Sequence, residues 1–174
     1  MTGADEYEGL NVAARLAAGL LTVEAWLRVH QVADAGVDGV VEHLWQWLTV
    51  QPDTFMRWYD FDSDELQAAE AGTPLPQRVA LACDERSASA EDLAVLLANV
   101  VNIVYDSLFG ALDLRLSLAR LRTIEVVAAR SGVRLPAGQR FSGLAAQDRG
   151  GWGHPVSALQ VASWRTAARP DHLE

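Results

Sequence analysis

The chain has 174 residues, half of them hydrophobic and 21% charged, the size and balance of one ordinary folded domain; disorder, low-complexity and collagen-like architectures are excluded. Its 23 acidic residues face 14 basic ones, all arginine, for a net charge of −9, the wrong sign for gripping a phosphate backbone, so nucleic acid is not an expected partner. The charge is unevenly spread, with 13 acids and three arginines in residues 1–70 but seven arginines and three acids in residues 113–149. Either these segments pack together, within one chain or across a dimer, or the acidic one is a surface for a basic partner.

From 7 to 35 the apolar residues Val12, Leu16, Leu20, Val23 and Leu27 recur at helical spacing and predict a helix that Gly36 stops. A second helix is expected over 38–50, with Val37, Val40, Val41, Leu44 and Leu48 turned inward. Gln51-Pro52-Asp53 interrupts it, because proline disfavours a helical conformation in the residue before it. A short helix over 55–59 follows, then one over 62–72 with acids in its first turn, then one over 75–85 behind Pro74.

Ser89-Ala-Glu-Asp92 has the form of a capping box and opens the longest element, expected to run over 89–130 until Gly132 stops it. Residues 112–118 alternate as a strand would, but they are leucine, arginine, aspartate and serine with no β-branched side chain, so a helix is expected there. Asn99, Asn102, Asp106, Asp113, Ser117 and Arg120 form a polar stripe that stays in phase across Gly110, which predicts continuity with at most a kink. Residues 132–155, rich in glycine and proline, read as an irregular segment; a last short helix is expected over 156–168, and 168–174 are expected to fray. The predicted fold class is all-α: a single-domain helical bundle of about five to six helices around the long central helix 89–130.

No stretch carries a catalytic fingerprint: there is no nucleophile elbow, phosphate loop or dinucleotide motif, and no catalytic residue or cofactor is assigned. Asp60, Asp62 and Asp64 copy the start of a calcium loop, but Glu65 stands where its glycine belongs and Ala71 where its bidentate glutamate belongs. His30, His43, His154 and His172 form no zinc or di-metal pattern, so no metal site is expected. His43, one turn before Trp47, reads as a partly buried, stacked imidazole. Cys83 reads as a small buried hydrophobe. The acidic N-terminus does not resemble a signal peptide, and the most apolar window, 93–105, is too short for a membrane span; a cytoplasmic protein without membrane contact is expected. The absence of lysine reads as the codon bias of a GC-rich bacterial genome.

Six tryptophans are the prominent feature. Trp45 and Trp47 widen the apolar face of the second helix, which must be closed over by several helices or meet a partner. Trp152, inside Arg149-Gly-Gly-Trp-Gly-His154, reads as a mobile, exposed anchor. Asn99, Asn102 and Asp106 are either a solvent face or the lining of a polar pocket. The leading expectation is a non-enzymatic interaction module that binds a basic protein through Trp45, Trp47 and Trp152. In general character such a chain is similar to inhibitor or immunity proteins that neutralise a basic toxin. The alternatives are a small-molecule binder or enzyme using the polar stripe, and a structural homodimer.

Overall fold

Asn11 opens the most deeply buried helix of the molecule, α1 (Val12–His30): its Oδ1 accepts from the Ala14 N–H at 3.1 Å. The structure, a computed structural model, describes residues 3–167, so the fraying expected of 168–174 lies outside the described residues. Every residue from 12 to 23 is buried, and many are alanine or glycine, which makes α1 a thin rod that neighbours approach closely. At Gly19 a Cβ would stand 3.1 Å from Val100 Cγ2 and 3.2 Å from Ile124 Cδ1, so two further helices meet there. The centre of the bundle is α1 together with the first part of the expected 89–130 element, which packs against α1 and three further helices.

Seven helices follow α1 among the described residues: α2 (Ala35–Trp47), α3 (Phe55–Tyr59), α4 (Asp64–Ala71), α5 (Gln77–Asp84), α6 (Ala90–Tyr105), α7 (Leu114–Ala129) and α8 (Ala158–Ala167). Short 3₁₀ turns occupy Gly3–Tyr7, Gly138–Phe141 and Asp148–Gly151. The all-α expectation is met, with eight helices in place of five or six and no strand among the described residues.

Gly36 is not the stop of the first helix. Gln31, in the left-handed region at φ 54°, ends α1, and Asp34 starts α2 by accepting from the N–H groups of Gly36 (2.9 Å) and Val37 (3.1 Å). Gly36 thus sits in the first turn of α2, where an added Cβ would collide with the buried Glu65 carboxylate and its partner Arg78. Asp34→Ala removes this cap and is expected to cost about 1 kcal/mol, read as a Tm lower by about 3 °C in a thermal melt; an unchanged Tm would show the cap to be idle. Downstream, Ser63 caps α4, Gly72 ends it at φ 66°, and α5 begins at Gln77 behind Pro76, which leaves Pro74 in the linker.

The long helix 89–130 is two helices. α6 ends at Tyr105, and Asp113 opens α7 by accepting from the N–H groups of Arg115 (2.8 Å) and Leu116 (3.3 Å). The phase of the polar stripe survives because the gap from Asp106 to Asp113 is seven residues, close to two helical turns, so phase alone does not distinguish a straight helix from a fold-back. An unbroken helix of that length would extend about 60 Å, beyond the roughly 40 Å diameter of a domain this size. Folded back, α6 and α7 bury Leu96, Val100 and Ile103 near Leu121 and Ile124, with α1 against both. Residues 114–118 are helical as expected, not a strand.

The irregular segment 132–155 crosses the bundle as a strap. Asn11 N–H donates to Leu144 O (2.9 Å), Ala146 N–H donates to Gly9 O (3.0 Å), and Phe141 packs between Tyr7 and Trp164. Part of the expected charge complementarity is met within one chain, since Arg122 reaches Asp5 (3.1 Å) and Glu8 (3.2 Å); outside the basic segment, Arg165 also reaches Glu24 (3.0 Å) and Glu42 (2.8 Å). Among the described residues no helix is long and apolar enough to cross a membrane.

Candidate functional site

The residues singled out in the sequence go to different places. Trp45, taken as half of a widened face, is buried: its Nε1–H donates to Glu24 at 3.0 Å and the Arg165 guanidinium lies over its ring. Asn99 donates to Val95 O (2.8 Å) beside a shallow cleft of about 430 Å³ between α6 and the 72–75 linker. Asn102 donates to Glu70 O (3.1 Å) and so satisfies the end of α4. Asp106 faces solvent and pairs with Arg120 at 3.0 Å. The stripe therefore does not converge on one ligand.

His43 is buried and stacked as expected, but not on Trp47. Its ring lies between Trp58 (4.3 Å between centroids, 5° between planes) and Phe61 (4.4 Å, 19°), and its Nε2 pairs with the Tyr105 hydroxyl at 2.9 Å. Burial pushes its pKa down to about 4, so the imidazole is neutral at pH 7 and serves the core.

Trp47 and Trp152 come together. Their rings touch in a tilted contact with centroids 6.0 Å apart, and both half-buried side chains line a cleft of about 400 Å³ whose walls include Leu48, Phe55, Leu108 and Pro155. Trp47 is the last residue of α2, and the break at Pro52 turns the chain back so that Phe55 closes one side. Trp152 is half-buried and flanked by glycines in left-handed conformations. Gly151 (φ +97°) lies where a Cβ would come within 2.9 Å of Leu112, and Gly153 (φ +78°) abuts the side-chain amide of Asn11. Both need conformations and space that only glycine provides.

Asn11 is the residue the sequence did not mark. Its Oδ1 is spent on the cap, while its Nδ2, fully buried, has no acceptor, an omission that costs about 1–3 kcal/mol. The other such group among the described residues is Trp26 Nε1, deep in the core against His30. The titratable side chains lining the Trp47–Trp152 cleft are Arg149 and His154; no aspartate or glutamate lines it, in a chain of net charge −9. Arg149 sits in the left-handed region at φ 46°, ψ 45°, a strained conformation for a side chain of this kind.

Outside the cleft the apolar surface continues. Phe55 leads to Tyr59, whose ring meets Phe109 edge-on at 5.0 Å, and Met56 and Phe109 are 60% and 73% exposed. Among the described residues no group of three His, Cys, Asp or Glu side chains is placed to hold a metal ion. Compared with protein families, with curated proteins and with solved structures, the chain matches none.

Proposed function

We propose that this chain is a non-enzymatic binding module of the cytoplasm, and that the Trp47–Trp152 cleft takes an apolar side chain from a basic partner polypeptide. The carrying observation is the pair of half-buried tryptophans in contact on the wall of a cleft of about 400 Å³, with Met56 and Phe109 exposed nearby. A contiguous apolar patch of this kind marks an interaction site, and tryptophan is a favoured anchor residue. Charge argues for the partner's sign: Asp53 is exposed beside the cleft-lining Pro52, and Asp60, Asp62 and Asp64 are exposed past the other end of α3. They would attract a segment carrying arginine or lysine and speed its encounter, the more so at low salt.

A displayed library of random peptides tests the reading. The expected enrichment is for one aromatic or large aliphatic residue flanked by basic ones, with binding that weakens as salt rises. Trp152→Ala and Trp47→Ala, each checked for folding by circular dichroism, should both weaken the selected peptides by at least about tenfold. An unenriched library, or peptides indifferent to both substitutions, would refute the reading. So would a stable dimer that dissociates on Trp152→Ala in light scattering, because the cleft would then belong to a second copy.

A further inference from the structure

We propose that the cleft between α6 and the 72–75 linker is a second binding site, separate from the Trp47–Trp152 cleft, and that it takes an aliphatic primary ammonium whose N–H donates to Asn99 Oδ1.

Asn99 lines this cleft of about 430 Å³ and is only 7% exposed. Its Nδ2 donates at 2.8 Å to Val95 O, one turn back on the same helix. Inside α6 that carbonyl already accepts the Asn99 backbone N–H, so the side-chain bond completes nothing in the fold. Asn102 differs, since its amide closes the end of α4. Because the NH₂ group of Asn99 is the end that faces a carbonyl, its oxygen is the end left over, and among the described residues nothing donates to it. Nor is this oxygen sealed away, as the orphaned groups of Asn11 and Trp26 are. A side chain that is nine-tenths buried, with an idle acceptor open to a cleft, calls for a donor from outside the chain.

The other polar groups of the cleft agree in sign. Glu91 is the titratable side chain that lines it; it is exposed and has no ion-pair partner among the described residues. Thr73 donates its hydroxyl hydrogen to Ala68 O at 3.4 Å, which leaves its oxygen as an acceptor. Gly72 and Thr73 stand at the C-terminal end of α4, the electronegative end of a helix. No arginine or histidine lines the cleft. Its apolar walls are Pro74, Leu75, Ala94, Val95 and Ala98, with no aromatic ring.

Acceptors and one negative charge, without a side-chain donor to spare, select a cation that carries N–H groups. A primary ammonium supplies them, and its hydrogen bonds are charge-assisted. A quaternary ammonium has none and is recognised by aromatic faces, which this cleft lacks. The small side chains along α6 leave room for a thin aliphatic chain. Such a ligand has two sources, a free aliphatic amine and the lysine side chain of another polypeptide, this chain having no lysine of its own.

The test compares three probes that share a six-carbon chain: hexylammonium, hexyltrimethylammonium, which keeps the charge and loses every N–H, and 1-hexanol, which loses the charge. Calorimetry gives the affinities, and the methyl resonances of Ala94 and Ala98 against the Trp152 indole resonance give the location. Hexylammonium is expected to bind at least about tenfold tighter than either of the others, shifting the alanine methyls and leaving Trp152 unmoved. Asn99→Ala, which removes the oxygen and keeps the cleft open, should bring hexylammonium down to the level of 1-hexanol. Glu91→Gln should weaken it by about threefold, the smaller effect expected of an exposed charge. A melt checks that each variant is folded, and the three-probe comparison in the wild type decides independently of them. Equal binding of hexylammonium and hexyltrimethylammonium would mean that charge alone is read, and the proposal would fall. It would fall equally if 1-hexanol bound as tightly, if Asn99→Ala changed nothing, if Trp152 moved in place of the alanines, or if no probe bound; apart from the shift of Trp152, none of these results touches the Trp47–Trp152 cleft. N-acetyl-lysine N-methylamide separates the sources: tighter binding than hexylammonium supports a lysine side chain and weaker binding a free amine, each with the site in place.

Discussion

Arg15→Ala is expected to lower the stability of the protein by about 3–5 kcal/mol, the range for stripping one side from a buried charged network, and the Tm by about 10 °C. The guanidinium is 1% exposed, and its acceptors are carbonyls and a hydroxyl, not a carboxylate. Its Nε and Nη2 donate to Tyr7 O at 3.2 and 3.0 Å, Nη2 also to Glu8 O at 3.2 Å, and Nη1 to Ser117 Oγ at 2.8 Å and to Leu114 O. One side chain of α1 thereby ties the Gly3–Tyr7 turn to the first turn of α7. Burial, with the nearby Arg122 charge, pulls its pKa down to about 10, so it is still charged at pH 7. Alanine would leave the carbonyls of Tyr7 and Leu114 without their donor and open a cavity beneath them. Arg15→Met, which restores much of the volume, should recover only the packing part of the loss. Chemical denaturation measures both; a loss below about 1 kcal/mol for Arg15→Ala would mean that water replaces the guanidinium at no cost.

The second large effect is on the pH dependence of folding. The folded pKa of His43, about 4, lies below the value of about 6.5 expected in the unfolded chain. Above pH 6.5 neither state is protonated and the full stability is present. Between 6.5 and 4 the unfolded chain takes up a proton that the stacked ring between Trp58 and Phe61 refuses, so stability falls as the pH falls. The whole loss is about 3 kcal/mol, at about 1.4 kcal/mol per pKa unit. His43→Phe keeps a ring in the stack and removes the proton site. The wild-type stability minus that of the variant, followed from pH 7 to pH 4, is expected to drop by this amount, with carboxylate contributions common to both chains cancelling. Parallel curves would show that the buried imidazole accepts a proton in the folded state.

The parts of the fold that were legible in the sequence are those made by groups a few residues apart. Ser63 and Ser89 cap α4 and α6 by accepting from the N–H three residues on, and Gly72 and Gly132 turn left-handed after α4 and α7. Leu16, Leu20, Val40 and Leu44 fall on inward faces because periodicity places them there. Asp113 carries the same local signal, but its place in the polar stripe fits a continuous helix equally well, so the fold-back before it depends on packing. The candidate site was legible only in fragments. Trp47 and Trp152 stood out by residue type, whereas nothing near Asn11 distinguishes it from an ordinary cap.

By itself the sequence determined the helical class, most helix ends and the burial of the apolar stripes, because those depend on hydrogen bonds and side-chain spacing within one or two turns. Only the tertiary structure decided that α1 and α6 share the centre of the bundle, that His43 stacks on Trp58 and Phe61, and that Trp45 is covered while Trp47 meets Trp152. It alone set the Asn11 amide against Gly153. Each of these pairings joins positions far apart along the chain or on separate elements, where many partners satisfy the same local pattern. The choice among them is made by which apolar surfaces fill the space around α1 together.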